Sequence, residues 1–178
     1  MKRLALLLVA FALGACSTQN PSSSHYRGQE QREIKALSPE EISDLLAGKG
    51  MGFAKAAELN GYPGPAHVLE LAAPLQLSPE QRARTEALFE RMNLQARHLG
   101  AQLVQAEREL DASFREHRVT AELLAHQLEQ VAALQAKVRN AHLHAHLEQR
   151  QILSAEQTAK YIALRGYSKH DAEHGAHK

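Results

Sequence analysis

"LSPEQRARTEALFERMNLQARHLGAQLVQAERELDASF" occupies residues 77–114. Its apolar side chains recur at Leu88, Met92, Leu99, Leu103, Ala106, Leu110 and Phe114, in steps of three, four or seven. That period gathers them on one stripe of an α-helix. After Pro79 no proline interrupts the run, and Gly100 is its only glycine. A helix of roughly 36 residues is about 55 Å long, well beyond the ordinary globular length. Then "REHRVT" (115–120) breaks the pattern, and Leu124, Leu128, Val131, Val138, Ala145 and Ile152 form a second stripe. Two long amphipathic helices joined by so short a connection predict an antiparallel helical hairpin.

The opening phrase recurs. "LSPEQ" at 77–81 returns as "LSAEQ" at 153–157, and a looser copy, "LSPEE", stands at 37–41. In each, a serine is followed three residues later by Glu or Gln: Ser38 and Glu41, Ser78 and Gln81, Ser154 and Gln157. This is the capping-box spacing, in which the serine hydroxyl accepts from a first-turn N–H and the Glu or Gln reaches back. Pro39 and Pro79 fall where a missing N–H costs nothing. Helix starts are therefore predicted at 38, 78 and 154. The first helix ends at Gly48. "GKGMGFAKAAELNGYPGP" (48–65) reads as an irregular connection with one helical turn near Lys55–Leu59, followed by a short helix from Pro65 to Ala73. The last helix runs from Ser154 to about Arg165, with Gly166 as its C-cap. No strand pattern occurs, so the fold class is all-α: a long antiparallel helical hairpin with short flanking helices over 37–166. A hairpin has little core of its own, and pairing with a second copy into a homodimer is expected.

The N-terminus carries a different signal. Met1-Lys2-Arg3 precedes ten apolar residues, Leu4 to Leu13, too few to span a bilayer. Leu13-Gly14-Ala15-Cys16 then resembles a bacterial lipobox, which implies lipidation of Cys16 and loss of residues 1–15 as a signal peptide. The mature chain then has no thiol left for a disulfide, so packing alone must hold it. Ser17 after the cysteine, by resemblance to enterobacterial sorting, favours the outer membrane of the cell envelope. Membrane attachment is thus expected through the lipid anchor only. Residues 16–36, almost without apolar side chains, read as a flexible tether. Without Lys2 and Arg3, 19 basic residues face 20 acidic ones, which argues against a nucleic-acid partner.

No nucleophile arrangement, G-x-S-x-G, H-E-x-x-H or phosphate loop is present, so catalysis is not expected and no cofactor is required. Eleven histidines are the notable resource. His142 and His146 share a helix face, a spacing suited to Zn, Ni or Cu. With the turn near residue 117, His142 falls opposite Met92, whose thioether suits copper or nickel, and His146 opposite Leu88. The other reading is two neutral imidazoles at the edge of the core. His170, His174 and His177, in the polar tail 167–178, form either a loose metal-binding tract or a solvated end. Leu143 with Leu147, and Phe89 beside Met92, lie off the main stripes. They serve either a dimer interface or a contact with the short helices, or else an exposed partner surface.

The two Leu-Ser-x-x-Gln phrases flanking a long hairpin behind an export signal resemble the Spy/CpxP family of periplasmic proteins, whose hallmark is a repeated Leu-Thr-x-x-Gln motif. The matching positions are Leu77, Ser78 and Gln81, then Leu153, Ser154 and Gln157, with Ser where the family usually has Thr. "GMGFAKAAELNGYPGPAHVLELA" (50–72) is also similar to a segment preceding the first motif in one branch. The resemblance implies a cradle-like dimer that holds unfolded or misfolded envelope proteins without ATP. It also implies a sensor kinase as a further partner, and a heavy-metal sensor as the alternative role.

Overall fold

The computed structural model describes residues 25–167. The expected signal peptide, Cys16 at the expected lipidation position and the tail histidines His170, His174 and His177 lie outside them. The described residues form six helices and no strand: α1 (Pro39–Ala47), α2 (Lys55–Glu58), α3 (Pro65–Glu70), α4 (Pro79–Arg115), α5 (Ala121–Ile152) and α6 (Ala155–Leu164). Reciprocal capping boxes start α1, α4 and α6 at Ser38, Ser78 and Ser154. Thr120 starts α5 by accepting from the Leu123 N–H at 3.2 Å. Between α4 and α5 the chain reverses through His117, which takes a left-handed φ of 53°, while the Arg118 N–H returns to the Ser113 carbonyl at 2.9 Å.

Helices α4 and α5 lie side by side in opposite directions. Near the turn, Gln127 Nε2 donates to Ser113 Oγ at 3.0 Å, and near the other end Gln149 Nε2 donates to Thr85 Oγ1 at 3.2 Å. Leu99, Leu103, Val104 and Ala106 of α4 pack with Val131, Leu134, Val138 and Ala141 of α5 as the main core. Burial of each Leu or Val contributes about 1.5–3 kcal/mol. Leu45 of α1 closes this core from the side, and Gly100 is what admits it. A Cβ built on Gly100 would sit 2.2 Å from the Leu45 carbonyl oxygen. Asn93 Nδ2 then donates to the Ala47 carbonyl at 3.0 Å, satisfying the end of α1.

Three expectations are corrected. Residues up to 36 were read as tether, yet Ile34 is fully buried in the main core. The Lys35 N–H donates to Asp111 Oδ1 at 3.1 Å, and Arg108 pairs with Glu33 at 2.9 Å. A single isoleucine among polar residues is enough to pin the segment along α4. Helix α3 stops at Glu70 rather than Ala73, giving way to turns. Finally, Phe114 and Leu128, placed on the apolar stripes, are 52% and 48% exposed. Among the described residues no further element covers the pair at its turn, where the polar Ser113 and Gln127 take the inward positions instead.

At the opposite end, the two repeated phrases meet. Gln81 Nε2 donates to Gln157 Oε1 at 2.8 Å, and Gln157 Nε2 donates to Gln81 Oε1 at 3.0 Å. Each amide oxygen also accepts from its own cap, Ser78 N–H at 3.1 Å and Ser154 N–H at 2.9 Å. Each amide nitrogen also reaches a carbonyl beyond its own helix, Ile152 for Gln81 and Leu75 for Gln157. Leu77 and Leu153 join Val68, Leu75 and Tyr161 in the apolar cluster beside this clasp. The third copy has Glu41, whose carboxylate caps Ser38 but carries no N–H to give to a partner.

Candidate functional site

His142 and His146 are both buried, at 3% and 7% exposure, because the connection after α1 lies across them. A Cβ on Gly64 would come within 2.9 Å of His146 Nε2, so the chain can pass this close only as glycine. His146 Nδ1 lies 2.7 Å from the Tyr62 carbonyl, which can only accept, so this nitrogen carries the proton. The Gly- and Pro-rich stretch that reads as an irregular connection in the sequence is therefore the cover of the α5 histidines.

Beside His146 sits Glu58 of α2, 8% exposed. Tyr161 of α6 donates its hydroxyl to Oε1 at 2.5 Å, and the Gly64 N–H donates to Oε2 at 3.2 Å. His67 Nδ1 of α3 is 3.3 Å from Oε1, and Arg165 Nε is 3.7 Å away. Burial pushes the Glu58 carboxyl up, but the bonds from His67 and Tyr161, aided by both neighbouring imidazoles, outweigh it and hold the group at about 2. Burial and the Glu58 carboxylate in turn push the Tyr161 hydroxyl far up, so it remains a donor. One carboxylate thus ties α2, α3, α6 and the connection together against α5.

A cleft of about 730 Å³ opens next to this hub. Phe89 and Met92 line it from α4, His142 and His146 from α5, and Met51, Leu59, Glu58 and His67 from the covering segment. Four buried side-chain atoms lack a hydrogen-bond partner among the described residues: Gln127 Oε1, His142 Nε2, Gln149 Oε1 and Arg165 Nε. Of these residues, only His142 lines the cleft. Burial, and to a smaller extent the neighbouring His146, pushes the His142 imidazole down and keeps it neutral. An unpaired buried polar group costs about 1–3 kcal/mol.

The structure therefore brings Phe89, Met92, His142 and His146 to one cleft. It leaves Leu143 half-buried and Leu147 49% exposed, with neither on the cleft wall. Among the described residues no three His, Cys, Asp or Glu side chains are grouped to hold a metal ion. Sequence reasoning missed Glu58, His67 and Tyr161. The available signal was a lone Glu and a lone His bracketing Gly-Tyr-Pro-Gly-Pro, and it carries no period. On its other side the α4–α5 pair is open: His98, Gln102 and Gln105 face Gln130 and Lys137 across a groove of about 590 Å³. Among the described residues no helix is long and apolar enough to cross a membrane. Comparisons with family models, curated proteins and solved structures find no match, so the functional reading rests on these residues.

Proposed function

We propose that the chain is an envelope lipoprotein of the Spy/CpxP type, anchored at Cys16, that holds unfolding envelope proteins without ATP. Two copies of the helical hairpin form its elongated cradle. The observation that carries this reading is the open groove along α4 and α5. The groove runs from His98 to Glu109 of α4, about 17 Å, enough for an extended client segment of about five residues. Its lining mixes amide, imidazole and ammonium groups with the small apolar Ala101 and Ala133. Exposed Leu94, Phe114, Leu128 and Leu147 add isolated apolar contacts. Such a surface takes many sequences weakly rather than one tightly. A soluble form starting after Cys16 is expected to suppress aggregation of several chemically denatured clients at near-stoichiometric ratio. Absence of suppression for all of them sinks the reading.

A second reading, a sensor or buffer of Zn, Ni or Cu, is favoured by the unpartnered His142 Nε2 in a cleft shared with His146 and Met92. Calorimetric titration of Zn²⁺, Ni²⁺ and Cu²⁺ into wild type, a His142→Ala/His146→Ala variant and a chain ending at Tyr167 separates a cleft site from a tail site. If the double variant binds as wild type does, the cleft holds no metal.

A further inference from the structure

The cleft between α4, α5 and the covering segment has features that neither client holding nor helix packing uses. Its volume of about 730 Å³ lies within the range of small-molecule sites, whereas packed interiors leave few voids larger than a water. Phe89, Met92, Met51 and Leu59 give it apolar walls. Of the charges along it, Glu58 accepts from Tyr161 and from the Gly64 N–H, Lys49 pairs with Asp44, and Lys55 and Glu70 are exposed. Among the buried lining side chains, His142, 3% exposed, makes no hydrogen bond at either ring nitrogen among the described residues: Nε2 is closed off, and Nδ1 faces Gly50 of the covering segment. A leucine there would fill the space with no polar atom to satisfy, so the imidazole is retained at a cost in stability.

We infer that the cleft binds a small neutral amphiphile: a mostly apolar ring or chain bearing one hydroxyl- or amide-type group that pairs with the His142 imidazole. The apolar walls favour the body of such a molecule, and the unpartnered imidazole fixes its polar end. That imidazole offers a charged ligand no counter-charge, because burial keeps it neutral. A tautomeric imidazole can donate or accept, so alcohols, phenols and amides all satisfy it. This inference stands independently of client holding, since the cleft lies on the side of the α4–α5 pair that the connection covers.

The test is a fluorescence titration of N-phenyl-1-naphthylamine, two aromatic rings joined through one N–H, into the mature chain at neutral pH. Saturable one-to-one binding is expected. His142→Phe removes the nitrogen and fills part of the cleft, and is expected to weaken binding about tenfold or more. His144→Phe, on the exposed side of the same helix, is expected to leave the dissociation constant within about twofold. Ala66→Phe fills the cleft without touching the histidine, and is expected to weaken binding even if His142→Phe fails to fold. A chain ending at Tyr167 is expected to bind as the full one does. Absence of saturable binding, binding unchanged by both filling variants, or binding lost only with the tail each overturns the assignment.

Discussion

The clasp at the end of the helix pair and the cleft beside it are both polar clusters built from side chains far apart in sequence, and they are finished differently. In the clasp, Gln81 and Gln157 use each amide group twice, on a cap or a carbonyl and on each other. In the cleft, the buried imidazole of a lining residue makes no hydrogen bond among the described residues. A saturated neutral network serves to join elements. A polar group with capacity to spare, lining a cavity, is where a ligand gains the most. The repeated phrase is thus a joint, and the proposed ligand site lies apart from it, where α4 and α5 meet the covering segment.

The largest effect that separates the regions is at the hub on the cleft rim. Glu58→Ala strands the buried Tyr161 hydroxyl and the Gly64 N–H and is expected to cost about 3 kcal/mol or more. Denaturant unfolding showing a loss below about 1 kcal/mol would remove Glu58 as the tie between the short helices and α5. The same carboxylate makes the fold acid-sensitive. Its pKa is depressed from 4.5 to about 2, so its contribution is complete above 4.5 and is lost as pH falls through 2. The stability gap between wild type and Glu58→Gln should narrow by about 3 kcal/mol between pH 6 and pH 2. A gap that stays constant or widens with acid contradicts the assignment.

A smaller contrast tests the clasp against its look-alike. Gln81→Glu leaves an acceptor where two N–H donors are needed, and should cost about 2 kcal/mol. Glu41→Gln keeps the one hydrogen bond that the Glu41 side chain makes in the α1 cap, and should stay within about 0.5 kcal/mol. Equal losses at both sites would mean that capping alone accounts for the phrase. The smallest loss belongs to the cleft: His142→Leu should not destabilise the fold and should gain about 1 kcal/mol, since no bond is lost and an unpaired buried imidazole is removed. A loss as large as at Gln81 would make His142 a structural residue.

Helix positions were legible in the sequence because caps and apolar periods are local. Ser38, Ser78, Ser154 and Thr120 mark their helices, and His142 and Met92 do share one cleft. The pairing of Gln81 with Gln157 was not legible, because it requires the α4 start and the α6 start to be neighbours in space. Ile34 was hidden by the polar composition around it. The fate of Phe114 and Leu128 depended on whether anything covered the turn, and a helical period says which face a residue takes, not what lies over it. Glu58, His67 and Tyr161 converge through a connection whose shape is set by glycines and prolines.

The central claim, that the phrase is repeated because its two copies bind each other, is tested most directly by a double-mutant cycle of Gln81→Ala and Gln157→Ala followed by denaturant unfolding. The reciprocal amide pair predicts that the double variant loses less than the two single losses combined, with a coupling of about 1–2 kcal/mol. Additive losses, with a coupling near zero, would show two independent helix caps and contradict the clasp.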